Sequence, residues 1–172
     1  MELGRYVAQH PTLNQHLRLN LGIEVEMHRI TAHGHPSQRP YPALLGDEQQ
    51  NPFITNDFVE CQTEMITRPF ETTTAALQEL RAENETLRGA LNDHELLWPY
   101  SMPPCLPADL TQLNPAQVVP QAYHHRQRLA TNRGYTRSMM NGVHLNSSRR
   151  DGLLQQLHQA QTQMPAPAFW ER

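Results

Sequence analysis

The chain is short of cysteine, short of clustered basic charge and without any long apolar run, and each shortage excludes something. It has two cysteines in 172 residues, Cys61 and Cys105, at no metal-ligand or redox spacing. That excludes a disulfide framework and a thiolate metal centre, and makes a reduced, cytoplasmic compartment the expectation. The 14 Lys and Arg residues are scattered, only Arg149-Arg150 forming an adjacent pair, and the net charge is -3. A nucleic-acid partner would need a basic stripe, so none is expected. No apolar run approaches the length of a membrane span. The opening MELGRYVAQHPTLNQHLRL lacks the apolar core of a signal peptide. With 38% hydrophobic residues and 14 prolines, residues 1–172 read as one modest, loop-rich domain whose core is thin for its length.

What is present is a run of short elements. A short helix is expected within 1–20, then a strand over 22–30. Residues 31–52, with their prolines and glycines, read as a long connection of the kind that carries function. A second strand is expected over 58–67, stopped by Pro69. Thr72, Thr73 and Thr74 offer N-cap hydroxyls. Leu77, Leu80, Leu87 and Leu91 then recur at helical spacing and are expected to pack in a core. The segment LLWPYSMPPCLP, residues 96–107, carries four prolines and reads as a rigid extended loop. A helix over 121–133 is expected to stop at Gly134. A third strand is expected over 139–147, another helix over 151–163, and an irregular tail after it.

Each strand has a polar side. Side chains two apart in a strand share a face, about 6.5–7 Å from each other. Glu24 and Glu26 therefore point together, opposite Ile23, Val25 and Met27. Glu60, Gln62 and Glu64 point together, with Asp57 at the entry, opposite Val59, Cys61 and Met65. His144 and Asn146 oppose Val143 and Leu145. If the three strands join one sheet, several carboxylates meet on it. Two such charges repel by about 2–3 kcal/mol at an effective dielectric near 20. Solvent, protons or bound cations can resolve that repulsion. Carboxylate oxygens suit Mg²⁺ or Mn²⁺, and a histidine is tolerable to Mn²⁺. The same alternation belongs to any half-solvated strand, so a solvated face and a metal–nucleotide site both stay open at this point.

Four motifs narrow the choice. They are Gly22-Ile23-Glu24-Val25-Glu26-Met27-His28-Arg29-Ile30, Ile54-Thr55-Asn56-Asp57-Phe58-Val59-Glu60-Cys61-Gln62-Thr63-Glu64-Met65-Ile66-Thr67, Leu97-Trp98-Pro99-Tyr100-Ser101-Met102-Pro103-Pro104, and Asn141-Gly142-Val143-His144-Leu145-Asn146-Ser147-Ser148. In this order they resemble the N-terminal part of bacterial glutamate–cysteine ligases, including the ligase half of the bifunctional glutathione-synthesising enzymes. The resemblance covers roughly residues 20–148; 149–172 read as a divergent helical tail. It implies an α+β fold, a glutamine-synthetase-like antiparallel sheet with helices packed on one face, incomplete relative to the family. It implies that Glu24, Glu26, Asp57, Glu64 and His144 hold Mg²⁺ or Mn²⁺, and that Glu60, His125 and Asn146 lie on the substrate side. The implied substrates are glutamate, cysteine and ATP, joined through an acyl phosphate.

The chain departs from the family pattern in places. His125-Arg126 and Arg133-Gly134 stand where the family has Tyr-Arg and Tyr-Gly. That tyrosine lines the cysteine pocket in the family, so the amine is left open, with Tyr123 a weak substitute. Ser147 stands for a Phe and Asn56 for a Thr. Family catalytic domains are several times longer, and nothing after Ser148 matches their later strands, metal-binding glutamate or phosphate-gripping arginines. Two functions remain: an ATP- and Mg²⁺-dependent ligase, with a partner chain or a second copy completing the sheet, or a non-catalytic remnant or subunit that keeps the fold and binds metal or nucleotide.

Overall fold

The computed structural model describes residues 19–116 and 120–149. The short helix expected near the N-terminus, the one over 151–163 and the irregular tail lie outside the described residues. Within them the order is β1 (Leu19–Thr31), β2 (Ile54–Asn56), β3 (Gln62–Ile66), α1 (Thr73–Ala90), β4 (Glu95–Trp98), α2 (Pro120–Arg133), the single turn α3 (Tyr135–Ser138) and β5 (Val143–Arg149).

β1 is the axis of a five-stranded antiparallel sheet in the order β2-β3-β1-β4, with β5 also on β1. β3 takes one edge of β1, pairing across Glu24–His28. The other edge is shared end to end: β5 pairs with Leu19–Val25 and β4 with His28–Thr31. One long strand therefore touches every element that carries a candidate ligand except the β2 edge.

The face of β1 bearing Ile23, Val25 and Met27 is the apolar one. α1 covers it, and Ile54, Met65 and Leu87 form the centre of this core, with Val25, Met27 and Leu80 against them. α1 starts where Thr72 Oγ1 accepts the N–H of Ala75. Its buried line runs Ala76, Glu83, Leu87, Ala90, so Leu77, expected in the core, is exposed at 52%. The seventh residue after Ala76 on that line is an acid: burial, and then Glu79, push the Glu83 carboxyl up to about 7. A second core lies at the hairpin turn, where Phe58, Val59, Cys61, Leu113, Ala130 and Met139 pack together. α2 belongs to this core rather than to a sheet face. Arg126 ties it down, donating to the carbonyls of Ala116 and Asn56. α2 ends at Gly134, whose φ of +77° suits glycine.

Three expectations need correction. The strand expected over 58–67 is only β3: residues 58–61 form the turn at which the chain reverses between β2 and β3, with Asp57 N–H donating to Gln62 O and Gln62 N–H to Val59 O. Glu60 thus sits in a turn and does not share the face of Glu64. The start of the expected 96–107 loop is the strand β4, because Glu95–Trp98 pairs with β1 before Pro99 removes a donor. Val143 and Leu145 are exposed at 66% and 69%, so the apolar side of β5 faces outward rather than into a core.

The arginine of the first motif belongs to the scaffold. Arg29 is fully buried and ion-paired with Glu95 at 3.0 Å. Its guanidinium also donates to the carbonyls of Pro40, Arg39 and Glu60. Ser37 Oγ and Asn92 Nδ2 donate to the Glu95 carboxylate. These bonds stitch the 37–40 loop, the hairpin turn and β4 to β1.

Candidate metal centre

The sheet register builds the site. Glu26 stands directly opposite Glu64 across β1 and β3, and Glu24 directly opposite His144 across β1 and β5. Opposed side chains in an antiparallel pair lie about 5 Å apart at Cβ, and like charges there destabilise the sheet. The result is a group of three: one donor atom each from Glu24, Glu64 and His144, all within 4.8 Å of one another. His144 Nδ1 lies 3.2 Å from Glu24 Oε2.

Asp57, at the turn after β2, and Glu26 line an open hollow of about 430 Å³ with Ser138, Asn141, Gly142 and His144. Burial, then the fields of Asp57, Glu24 and Glu26, push the Glu64 carboxyl up to about 7, against the pull of His144. Burial also lifts Glu26 above the usual carboxylate range, offset by the N–H of Gly142. Asp57 is lifted by burial and pulled back by Arg126 and His144. Burial thus raises all three of these carboxyls, with mutual repulsion adding at Glu26 and Glu64, and a divalent ion would relieve that repulsion.

The donor set fits a hard cation. It offers carboxylate oxygens and one imidazole nitrogen, the set that suits Mg²⁺ or Mn²⁺. Ligands about 2.1 Å from such an ion sit about 3–4 Å apart, so small side-chain rotations close the group. The site is half open, leaving coordination positions for water or a phosphate.

The other residues expected from sequence fall elsewhere. The Glu60 carboxylate accepts from the N–H of Tyr41 and from Asn56 Nδ2, away from the group. His125 is exposed on α2. Tyr123 accepts from Gln127 Nε2. Asn146 is exposed on β5, opposite Gly22 and on the same face as His144. Two uncharged residues given no site role from sequence, Gln62 and Asn141, support Glu26: Gln62 Nε2 donates to Glu26 Oε2 at 3.2 Å, and Asn141 Oδ1 lies 3.4 Å from that nitrogen. The signal for Gln62 was its place two residues before Glu64 on the same polar face, and for Asn141 its place one before Gly142.

Gly142 is glycine for space, since positive φ among the described glycines occurs at Gly34, Gly46 and Gly134. A Cβ there would fall 2.9 Å from His144 Nε2 and 3.5 Å from Glu26 Oε2. In Gly142→Ala the half-exposed imidazole swings off Glu24 instead of straining the backbone. Calorimetric titration with Mn²⁺ is expected to show about tenfold weaker binding, with a urea midpoint near wild type. Unchanged affinity would mean that His144 does not hold the ion.

The family model for glutamate–cysteine ligase matches residues 5–171, past the point where the motifs stop. The glutamate–cysteine ligase of Clostridium acetobutylicum is 36% identical over 139 residues, covering 78% of this chain and 29% of that protein. A bifunctional glutathione synthetase from Pasteurella multocida superposes with a TM-score of 0.79 at 29% identity, covering 92% of this chain and 21% of that one. A glutamate–cysteine ligase from Francisella tularensis, solved in complex with AMP, shares the fold with a TM-score of 0.76 at 24% identity, covering 84% of this chain and 30% of that one. The chain therefore spans less than a third of the length of these relatives.

Proposed function

The chain belongs to the glutamate–cysteine ligase family, and on that premise we propose that its acidic hollow holds the divalent cations of an ATP-dependent ligation. The observation that carries the reading is the convergence of Glu24, Glu64 and His144 within 4.8 Å, on three strands that the family motifs had marked.

In this reading Glu24, Glu64 and His144 grip Mg²⁺ or Mn²⁺. Glu26 and Asp57, on the rim of the same hollow, add charge toward bound ions or their waters. Divalent cations in such a site offset the charge that builds on a transferring phosphoryl group. The reaction has two steps. The γ-carboxylate of glutamate takes the terminal phosphoryl group of ATP, leaving ADP and an acyl phosphate. The amine of cysteine then attacks that carbonyl, phosphate leaves, and γ-glutamylcysteine forms in the first step of glutathione biosynthesis. Asn146, two residues along the His144 face, and His125 are assigned to the substrate side.

The test is ADP release by the purified chain supplied with ATP, Mg²⁺, glutamate and cysteine. Release that needs both amino acids, and stops in Glu24→Gln, is the expected result for a competent ligase. Folded protein that binds Mn²⁺ yet releases no ADP above background would reduce the reading to a cation-holding part of a ligase. Replacing cysteine by other amines tests whether His125, at the family's tyrosine position, changes the acceptor.

A further inference from the structure

Glu26 is the acid of the hollow that the protein itself holds in place. Its Oε2 accepts from the N–H of Gly142 at 2.8 Å and from Gln62 Nε2 at 3.2 Å. Gln62 is fully buried. Its Nε2 also lies 3.1 Å from Met140 O and 3.4 Å from Asn141 Oδ1. Asn141, also buried, aims its Nδ2 at the carbonyls of Tyr100 at 2.9 Å and Trp98 at 3.4 Å. Its backbone N–H donates to Ser101 O at 3.1 Å. Every group facing Gln62 Nε2 is an acceptor, and so is each group facing Asn141 Nδ2. Neither amide can flip without setting oxygen against oxygen. Donation therefore runs outward from Gln62, to Glu26 on one side and through Asn141 to the carbonyls of Trp98 and Tyr100 on the other.

This orientation has a cost: Gln62 Oε1 is buried without a hydrogen-bond partner. A buried carbonyl left unpaired is destabilising, and an apolar side chain would fill the place without that penalty. The amide is therefore useful for its N–H₂ rather than for folding.

Resting on the metal reading above, we infer that Gln62 and Asn141 are positioning residues for Glu26. They hold its Oε2, so that Oε1, on which no hydrogen bond falls among the described residues, remains the atom available to a cation or to a water bound to it. The Trp98–Ser101 loop, part of the third sequence motif, acts at the far end of the same chain of bonds.

The test is Mn²⁺ titration of the full chain, read by the electron paramagnetic resonance of free Mn²⁺, beside urea unfolding without metal. Gln62→Met is expected to bind Mn²⁺ about 10–100-fold more weakly, the usual effect of losing such an outer partner. Its unfolding midpoint stays near wild type, because the unpaired carbonyl leaves together with the donor. Asn141→Ala is expected to weaken binding about 3–10-fold, and it decides the matter if Gln62→Met does not fold. Leu80→Ala, on α1 against the core of the opposite sheet face, lowers the midpoint while leaving the affinity within twofold, which separates positioning from general destabilisation. Binding that is lost in Glu64→Gln but stays within twofold of wild type in the deciding variant overturns this inference alone. A wild-type chain that binds no Mn²⁺ overturns the metal reading and this inference with it.

Discussion

Glu64→Gln is expected to make the metal-free protein more stable and to abolish its response to Mg²⁺. The first effect follows from the register. Glu64 faces Glu26 across the sheet, and burial with three acidic neighbours pushes its carboxyl up to about 7. The native state therefore binds this proton more tightly than the unfolded chain does. The stabilising contribution is whole below about pH 4.5 and is lost as pH rises through 7. Wild-type stability should fall over that window, and the glutamine variant should lack this component. The full shift corresponds to about 3 kcal/mol; the group is partly exposed, so screening reduces the expected gain at pH 8 to about 1–2 kcal/mol. That is about 2–8 °C in a chain of this size.

The second effect runs the other way. A ligand at a hundred times its dissociation constant stabilises the state it binds by about 2.7 kcal/mol. Losing one of three converging donors should weaken Mg²⁺ binding by 100-fold or more, beyond the cost of an outer partner. The order of thermal midpoints therefore crosses: the variant leads without Mg²⁺, and the wild type leads with it. Equal Mg²⁺ stabilisation of both proteins would remove Glu64 from the ligand set.

Arg29→Met is expected to cost about 3–5 kcal/mol of folding stability, the largest single loss in the described residues. The guanidinium is fully buried against Glu95, and its removal leaves a buried carboxylate with only Ser37 and Asn92 as donors. In the native protein the Glu95 carboxyl is held below the usual range: burial opposes this, but the bonds from Asn92 and Ser37 and the charge of Arg29 prevail. A depressed carboxyl contributes stability above about pH 4.5 that is lost as pH falls through its folded value. Without Arg29 the sign reverses, and the deficit grows as pH rises. Urea unfolding at pH 5 and pH 8 reads both features. The double variant Arg29→Met, Glu95→Leu should recover most of the loss. A single variant within about 1 kcal/mol of wild type would show that the pair is dispensable.

The site was more legible in the sequence than the fold around it. Alternation in β1 placed Glu24 and Glu26 on one side, and the motifs supplied Glu64 and His144, because charge and period two survive any error in strand length. The hairpin was missed because Val59 and Cys61 look like strand residues. They are apolar since the turn itself is buried under α2, and the same turn carries Glu60 out of the set. β4 was hidden by the prolines that follow it. Leu77 was misplaced by one helical step, because the buried line of α1 accepts an acid at Glu83. Gln62 shares the period-two face of Glu64 but carries no charge, and Asn141 carries neither charge nor period. Only the folded sheet, which brings residues 26, 62 and 141 together, gives them a place beside the acids.

Diffraction from crystals soaked in Mn²⁺ tests the proposed cation hollow most directly. The expected result is an anomalous peak about 2.0–2.3 Å from carboxylate oxygens of Glu24 and Glu64 and from the imidazole of His144, absent in Glu64→Gln crystals. Ordered protein with no peak between those three side chains, at millimolar Mn²⁺, would contradict it.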